Sequence, residues 1–299
     1  IVIDSAGVMG GCSFCVIKND SVIYRNGFGA CINNPDTILI MASSTKWISG
    51  AVIMSLVDDN LLSLDDSIGS YLPSFSLNGK GSRTIRQCFS HTSGMRPNTS
   101  YIADTTITLE QCADSLAHEN DMPLALPAGT KFFYGGVSMQ VVGRIAEVVT
   151  GQPWDSVFHQ RIAAPLQMNS TVYDAHGITD NPHIAGGLTG NLQDSENFIK
   201  MILANGTFQG NSVLSSNSVF EMESDQTNNA GIIYTATNVY SGIDTQIENS
   251  RYGIGVWRIV NDDDNYIEPM SQGASGYTFW IDRDCNYGAD LATQGGNVA

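Results

Sequence analysis

Apolar residues Ile48, Ala51, Val52, Leu56 and Val57 recur at three- and four-residue spacing and predict a helix with one buried face. Ser43 and Ser44 stand where its N-cap would be, and Asp58, Asp59 and Asn60 close it. The same period predicts helices over residues 84–89, 108–118, 137–149 and 154–162, the third stopped by Gly151. Residues 61–73 read as a turn and a short Asp-capped helix ending near Pro73. β-Rich runs lie nearer the two ends of the chain. Residues 11–17 and 22–25 form a hairpin about Lys18-Asn19-Asp20-Ser21, and further strands are expected at 37–40, 252–257 and 277–281. The pattern implies an α+β chain. A discontinuous sheet domain (1–65 and 195–299) would hold a mainly helical domain (66–194) inserted between its halves.

Composition narrows what such a chain does. Its 299 residues, 42% of them apolar, suffice for a large core, and no apolar run is long enough to cross a bilayer. The net charge of −16 argues against a nucleic acid or anionic membrane as partner, since phosphate binding needs a basic patch. Six cysteines permit disulfides. The hairpin register would bring Cys31 near Cys12, and Cys88–Cys112 is a second expected pair. Cys12-Ser-Phe-Cys15 has a redox or zinc spacing, but in a strand residues three apart point to opposite faces. No other Cys or His pair has ligand spacing, so neither metal nor cofactor is expected. The cysteines, with Ile1 and no initiator Met at the first position, suggest an exported protein.

Candidate chemistry centres on Ser43-Ser44-Thr45-Lys46. A serine at a helix N-terminus lies in a field that favours negative charge on its oxygen. A lysine three residues on shares its face one turn away. Held there and desolvated, an amine is neutral near pH 7 and takes the serine proton, a route to an acyl-enzyme that needs no histidine. Read alone, the same four residues are an N-capping serine and a solvated lysine.

Further segments follow in order: Leu61 to Pro73, Ser90-His91-Thr92-Ser93-Gly94-Met95, Pro127-Ala128-Gly129-Thr130-Lys131-Phe132-Phe133-Tyr134, and the run from Gly143 to Pro153. Ala185-Gly186-Gly187-Leu188, Asp194 and Phe198 come next. Together with Ser43-x-x-Lys46 they resemble the serine hydrolases that include penicillin-binding proteins, class C β-lactamases and β-lactamase-like carboxylesterases. The resemblance implies an antiparallel sheet flanked by helices. It also implies Ser43 as nucleophile, Lys46 as base, and Tyr134 as proton relay or alternative base. The backbone N–H groups of Ser43 and Ala274 would form the oxyanion hole, with Gly273 allowing close approach. His91, in the turn, is expected to be structural.

Two motifs depart from the family's lactamases and peptidases. Their Tyr-x-Asn becomes Tyr134-Gly135-Gly136, and their cationic third motif becomes Ser271-Gln272-Gly273. The stretch onward to Trp280-Ile281-Asp282 is closest to the family's carboxylesterase form. Ser271, Gln272, Gly273, Gly136 and Met95 are the expected substrate contacts. The implied activity is hydrolysis of small carboxylic esters. A β-lactamase or D-amino-acid peptidase of the same fold, or a binding protein that has lost catalysis, are the alternatives.

Overall fold

The hairpin expected near the start of the chain forms the edge of the main sheet. In the computed structural model, which describes residues 9–119, 127–234, 251–260 and 266–295, β1 (Met9–Lys18) and β2 (Ser21–Gly29) meet at Asn19 and Asp20. Both turn residues have positive φ (47° and 66°), the type I′ geometry that matches strand twist. The other five strands are β3 (Arg251–Tyr252), β4 (Trp257–Val260), β5 (Tyr266–Gln272), β6 (Thr278–Asp282) and β7 (Tyr287–Gly295). The order is β2-β1-β7-β6-β5-β4-β3, antiparallel throughout, so strands from both ends of the chain meet where Phe14 faces Leu291.

One helix lies against this sheet at the heart of the core. α1 (Thr45–Asp58) is buried at every position from Thr45 to Leu56. A helix apolar on every side needs neighbours on every side. Trp47 stacks on Phe279 of β6 with 5.5 Å between ring centroids. It also meets Phe198 edge-on at 5.8 Å. Between α1 and the second half of the sheet lie α2 (Leu109–His118) and α3 (Val137–Thr150). Thr84 and Thr108 each close a capping box with a glutamine three residues on, which satisfies N–H groups at both ends of the box.

α4 (Leu192–Leu203) and α5 (Ser216–Glu223) were not expected as helices. Asn191 and Ser215 cap them by accepting from Asp194 and Ser218 N–H. Arg283, in the turn between β6 and β7, donates to Ile202 O (3.0 Å) and Leu203 O (3.3 Å) at the end of α4. It grips Glu223 of α5 at 2.6 and 3.0 Å.

Other expectations are corrected. The short helix expected after Leu61 is a 3₁₀ turn (Ile68–Ser70) that ends before Pro73 without an Asp cap, and a second helix (Pro73–Leu77) starts at the proline, whose fixed φ suits a first helical turn. The strand read over 252–257 is two strands, with Gly253 N–H donating to Val256 O (2.8 Å) across a turn in which Gly255 has φ +80°. The helix from Trp154 becomes a π-turn at His159–Ala163. Neither expected disulfide forms, and all six cysteines are free thiols. Cys12 is opposite Phe28, while Cys31 lies past the end of β2 in a turn closed by its own N–H to Phe28 O (3.1 Å). Cys88 sits in the core, and Cys112 directs its thiol to Tyr101 O (3.4 Å). Among the described residues no helix is long and apolar enough to cross a membrane. The expected sheet domain also includes residues 1–8 and 296–299, which lie outside those described.

Candidate active site

Ser43 sits in a 3₁₀ turn (Ala42–Ser44) that runs directly into α1. Ala42 has φ +47°, a left-handed conformation that costs a residue with Cβ about 1–2 kcal/mol. Surrounding bonds hold it there. Met41 N–H donates to Leu188 O (2.9 Å), and Ser275 Oγ donates to Ile40 O (2.7 Å). Ser44 does not cap α1 with its side chain. Its fully buried hydroxyl instead lies 2.7 Å from Tyr277 O and 3.1 Å from Ser271 O, tying the turn to the sheet.

Lys46 Nζ is 3.0 Å from Ser43 Oγ and donates to Ala185 O at 2.8 Å. It also lies 4.7 Å from the centroid of the Tyr134 ring. The side chain is 3% exposed, and burial lowers its pKa to about 7. Tyr134 is pushed the other way, to about 12, chiefly by burial. The side chains of Ser43 and Trp257 hydrogen-bond its phenol and oppose that shift. At neutral pH the phenol therefore keeps its proton while the amine readily loses one, which makes Lys46 rather than a phenolate the available base.

Tyr134 is held by an aromatic wall that the sequence did not reveal. Trp257, at the start of β4, stacks on it at 5.2 Å, and His91 packs against it at 4.7 Å. Tyr252 meets both Trp257 (4.9 Å) and His91 (4.7 Å). His91 is 2% exposed with φ +60°, and Gly135 N–H donates to its Nδ1 at 3.4 Å. Burial, with Lys46 nearby, drives its pKa well below the usual histidine range, so it packs as a neutral ring. Trp257 had only its β-rich surroundings as a signal, and nothing in its spacing links it to Tyr134.

The remaining expected residues divide. Gly273 comes so near the nucleophile turn that a Cβ on it would lie 2.1 Å from Met41 O. Its neighbour Ala274 is exposed and opens a tight turn, in which Gly276 N–H donates to Gly273 O (2.9 Å). Among the described turn and loop bonds neither Ser43 N–H nor Ala274 N–H is used. Gly136 N-caps α3 and donates to Pro97 O at 2.8 Å. Two of the expected contacts, Ser271 and Met95, have buried side chains. Ser271 is 3% exposed with its hydroxyl turned towards Ser44 O (3.4 Å), leaving Gln272 as the exposed residue of the pair. Met95, 5% exposed, belongs to the hydrophobic core.

A half-buried serine beside a buried lysine at the head of a central helix, set against an antiparallel sheet, defines the class of active-serine hydrolases. A family model described as Beta-lactamase matches residues 3–237, and the chain belongs to that family. The structure is similar to that of a "putative beta-lactamase" from Bacteroides dorei DSM 17855: TM-score 0.85 and 31% identity, over 98% of this chain and 87% of the other. It shares its fold with a family VIII carboxylesterase (TM-score 0.76, 18% identity, 99% of this chain and 89% of the other). A "Putative D-alanyl-D-alanine carboxypeptidase" of Escherichia coli K12 is 26% identical over 205 residues, 60% of this chain and 47% of that protein. The chain thus spans about half the length of that curated relative.

Proposed function

We propose that this protein hydrolyses small carboxylic esters through an acyl-enzyme on Ser43. The observation that carries the reading is the Lys46 amine, 3.0 Å from Ser43 Oγ, sealed from water and brought to a pKa of about 7. Ser43 Oγ attacks the ester carbonyl carbon as its proton passes to Lys46 Nζ. The carbonyl oxygen becomes an oxyanion stabilised by the N–H groups of Ser43 and Ala274. Collapse expels the alkoxide, which is protonated from Lys46 through the Tyr134 hydroxyl. Water then attacks the acyl-enzyme by the reverse proton route.

Esters are favoured over lactams and peptides by what stands at the third motif. Ser271 is buried and Gln272 is neutral, so neither supplies a cation for a substrate carboxylate. A charged hydrogen bond contributes about 1.5–3 kcal/mol, so its loss costs a carboxylate-bearing substrate roughly ten- to a hundred-fold. A β-lactamase or D-amino-acid peptidase is the second reading, supported by the family description and by the name of the Escherichia coli relative.

The test is parallel kinetics on short-chain aryl esters and a chromogenic cephalosporin, with active-site labelling by a serine-directed phosphonate. Ester turnover with little cephalosporin turnover is expected, and labelling is expected to vanish in Ser43→Ala. Efficient cephalosporin turnover with negligible esterase activity would promote the second reading.

A further inference from the structure

The space that a side chain at position 136 would take is already occupied. A Cβ on Gly136 would lie 3.0 Å from His183 Nε2, 3.0 Å from Ile102 Cδ1 and 3.3 Å from Ala185 Cβ. One on Gly186 would lie 3.0 Å from His183 Cε1, 3.2 Å from its Nδ1 and 3.8 Å from the carbonyl carbon of Ala42. The imidazole is therefore wedged between the segment that follows Tyr134 and the segment whose Ala185 carbonyl holds Lys46. Both segments border the serine.

The ring is fixed from behind. Gly186 and Gly187 N–H groups both donate to the His183 carbonyl, at 3.1 and 2.7 Å. His183 Nδ1 pairs with Nε2 of the exposed His176 at 3.3 Å. Burial, then the Lys46 and His176 charges, lowers the His183 pKa to about 3, so the ring is neutral in ordinary buffers. The two imidazoles share one hydrogen bond through Nδ1 of His183, which leaves Nε2 as the polar atom of that ring still open to a partner. No protein group among the described residues pairs with that Nε2, and unlike Nε2 of His91 it is not sealed from solvent.

We propose that His183 is a specificity residue of the acyl subsite, hydrogen-bonding through Nε2 to a hydroxyl on the carbon next to the carbonyl that Ser43 attacks. The preferred substrates are then esters of small 2-hydroxy acids, whose hydroxyl both donates and accepts and so pairs with Nε2 in either tautomer. A plain alkyl acyl group leaves Nε2 facing methylene groups, with no partner in place of water. The inference rests on the acyl-enzyme reading above.

The test compares kcat/KM for aryl esters of 2-hydroxypropanoic and propanoic acids, each divided by its rate of hydroxide hydrolysis to remove intrinsic reactivity. The parent should favour the hydroxy ester about tenfold. In His183→Leu that ratio should fall to within about twofold of unity, chiefly through KM of the hydroxy ester. Gly136→Asn alone forces the 3.0 Å contact with His183 and should depress both esters. Gly136→Asn with His183→Ala removes the imidazole contact while Ile102 Cδ1 stays at 3.0 Å, and should recover part of the activity on both esters. A parent ratio near unity, or one unchanged in His183→Leu, would overturn the proposal. Phosphonate labelling of Ser43 in each variant keeps the two readings apart. Retained labelling with no hydroxy preference removes only the role of His183, whereas labelling absent from the parent removes the acyl-enzyme itself.

Discussion

Lys46 and Arg283 are both largely withdrawn from water, and both donate to main-chain carbonyls. What separates them is the head group and what stands beside it: a guanidinium keeps its charge in any protein setting, whereas an amine can lose it. Arg283 grips the carboxylate of Glu223 with two hydrogen bonds and joins the ends of α4 and α5 to the sheet. Lys46 has the Ala185 carbonyl, the Ser43 hydroxyl and the face of Tyr134, all of them neutral. A buried cation beside a carboxylate keeps its proton and serves as a clamp. A buried amine among neutral groups gives its proton up cheaply and serves as a base. The fold thus builds one fixed charge, a guanidinium on a carboxylate, and one removable one, an amine among neutral groups.

Replacing each cation by methionine sharpens the contrast. Lys46→Met should lower ester kcat/KM by about a thousandfold, within the range that general-base catalysis contributes. In the parent, kcat/KM should rise with pH up to about 7 and then level, because only the neutral amine accepts the serine proton. A profile flat from pH 5 to 9 would mean that the base is some other group. Arg283→Met should leave that profile in place but destabilise the fold by about 2–3 kcal/mol in urea unfolding, since it strands Glu223 and two carbonyls.

The smallest effect is the most discriminating. The pKa of Lys46 falls from 10.5 in the unfolded chain to about 7 in the folded one. Between those values the unfolded chain binds more protons, so this group's contribution to stability rises with pH across that window. At or below pH 7 the buried ammonium costs the parent most. Lys46→Met lacks that cost. Its stability relative to the parent should be greatest near pH 6 and lower by about 1–2 kcal/mol at pH 9. A difference between Lys46→Met and the parent that stays constant from pH 6 to 9 would remove the cost assigned to the buried ammonium.

Legibility in the sequence followed how local each signal was. The helices headed by Thr84 and Thr108 were readable because their caps are written within four residues. α1 was readable from its apolar period. α4 was missed because Asp194, Ser195, Glu196 and Asn197 are buried along with its apolar residues, which blurs the stripe. Their burial answers to partners far along the chain: Glu196 meets Arg25, and Ser195 meets Tyr277 and Asp290. At the site, the spacing of Ser43 and Lys46 put both on one helical turn, and the family resemblance supplied Tyr134. Trp257 and His183 reach the site from 123 and 49 residues beyond Tyr134, through contacts that no local pattern encodes. The disulfides are a separate case: the hairpin does bring Cys31 close to Cys12, but nearness of two thiols in a sequence pattern does not fix whether they are joined, and both are free.

The pairing of β1 with β7 sets the order in which the molecule can assemble. Phe14 finds Leu291 only after 276 intervening residues have been made, so on the ribosome β1 and β2 must wait as an isolated hairpin. A lone hairpin is marginal in water, and the entropy of closing so long a loop must be met before the sheet returns anything. Folding should therefore be slow and the sheet among the last parts to form. Ser44 hangs from Tyr277 and Ser275 holds Ile40, so the nucleophile turn is drawn into shape only by residues made 233 and 235 positions later. A nascent chain would carry Ser43 and Lys46 through all of that synthesis and complete the site only after these strands have docked.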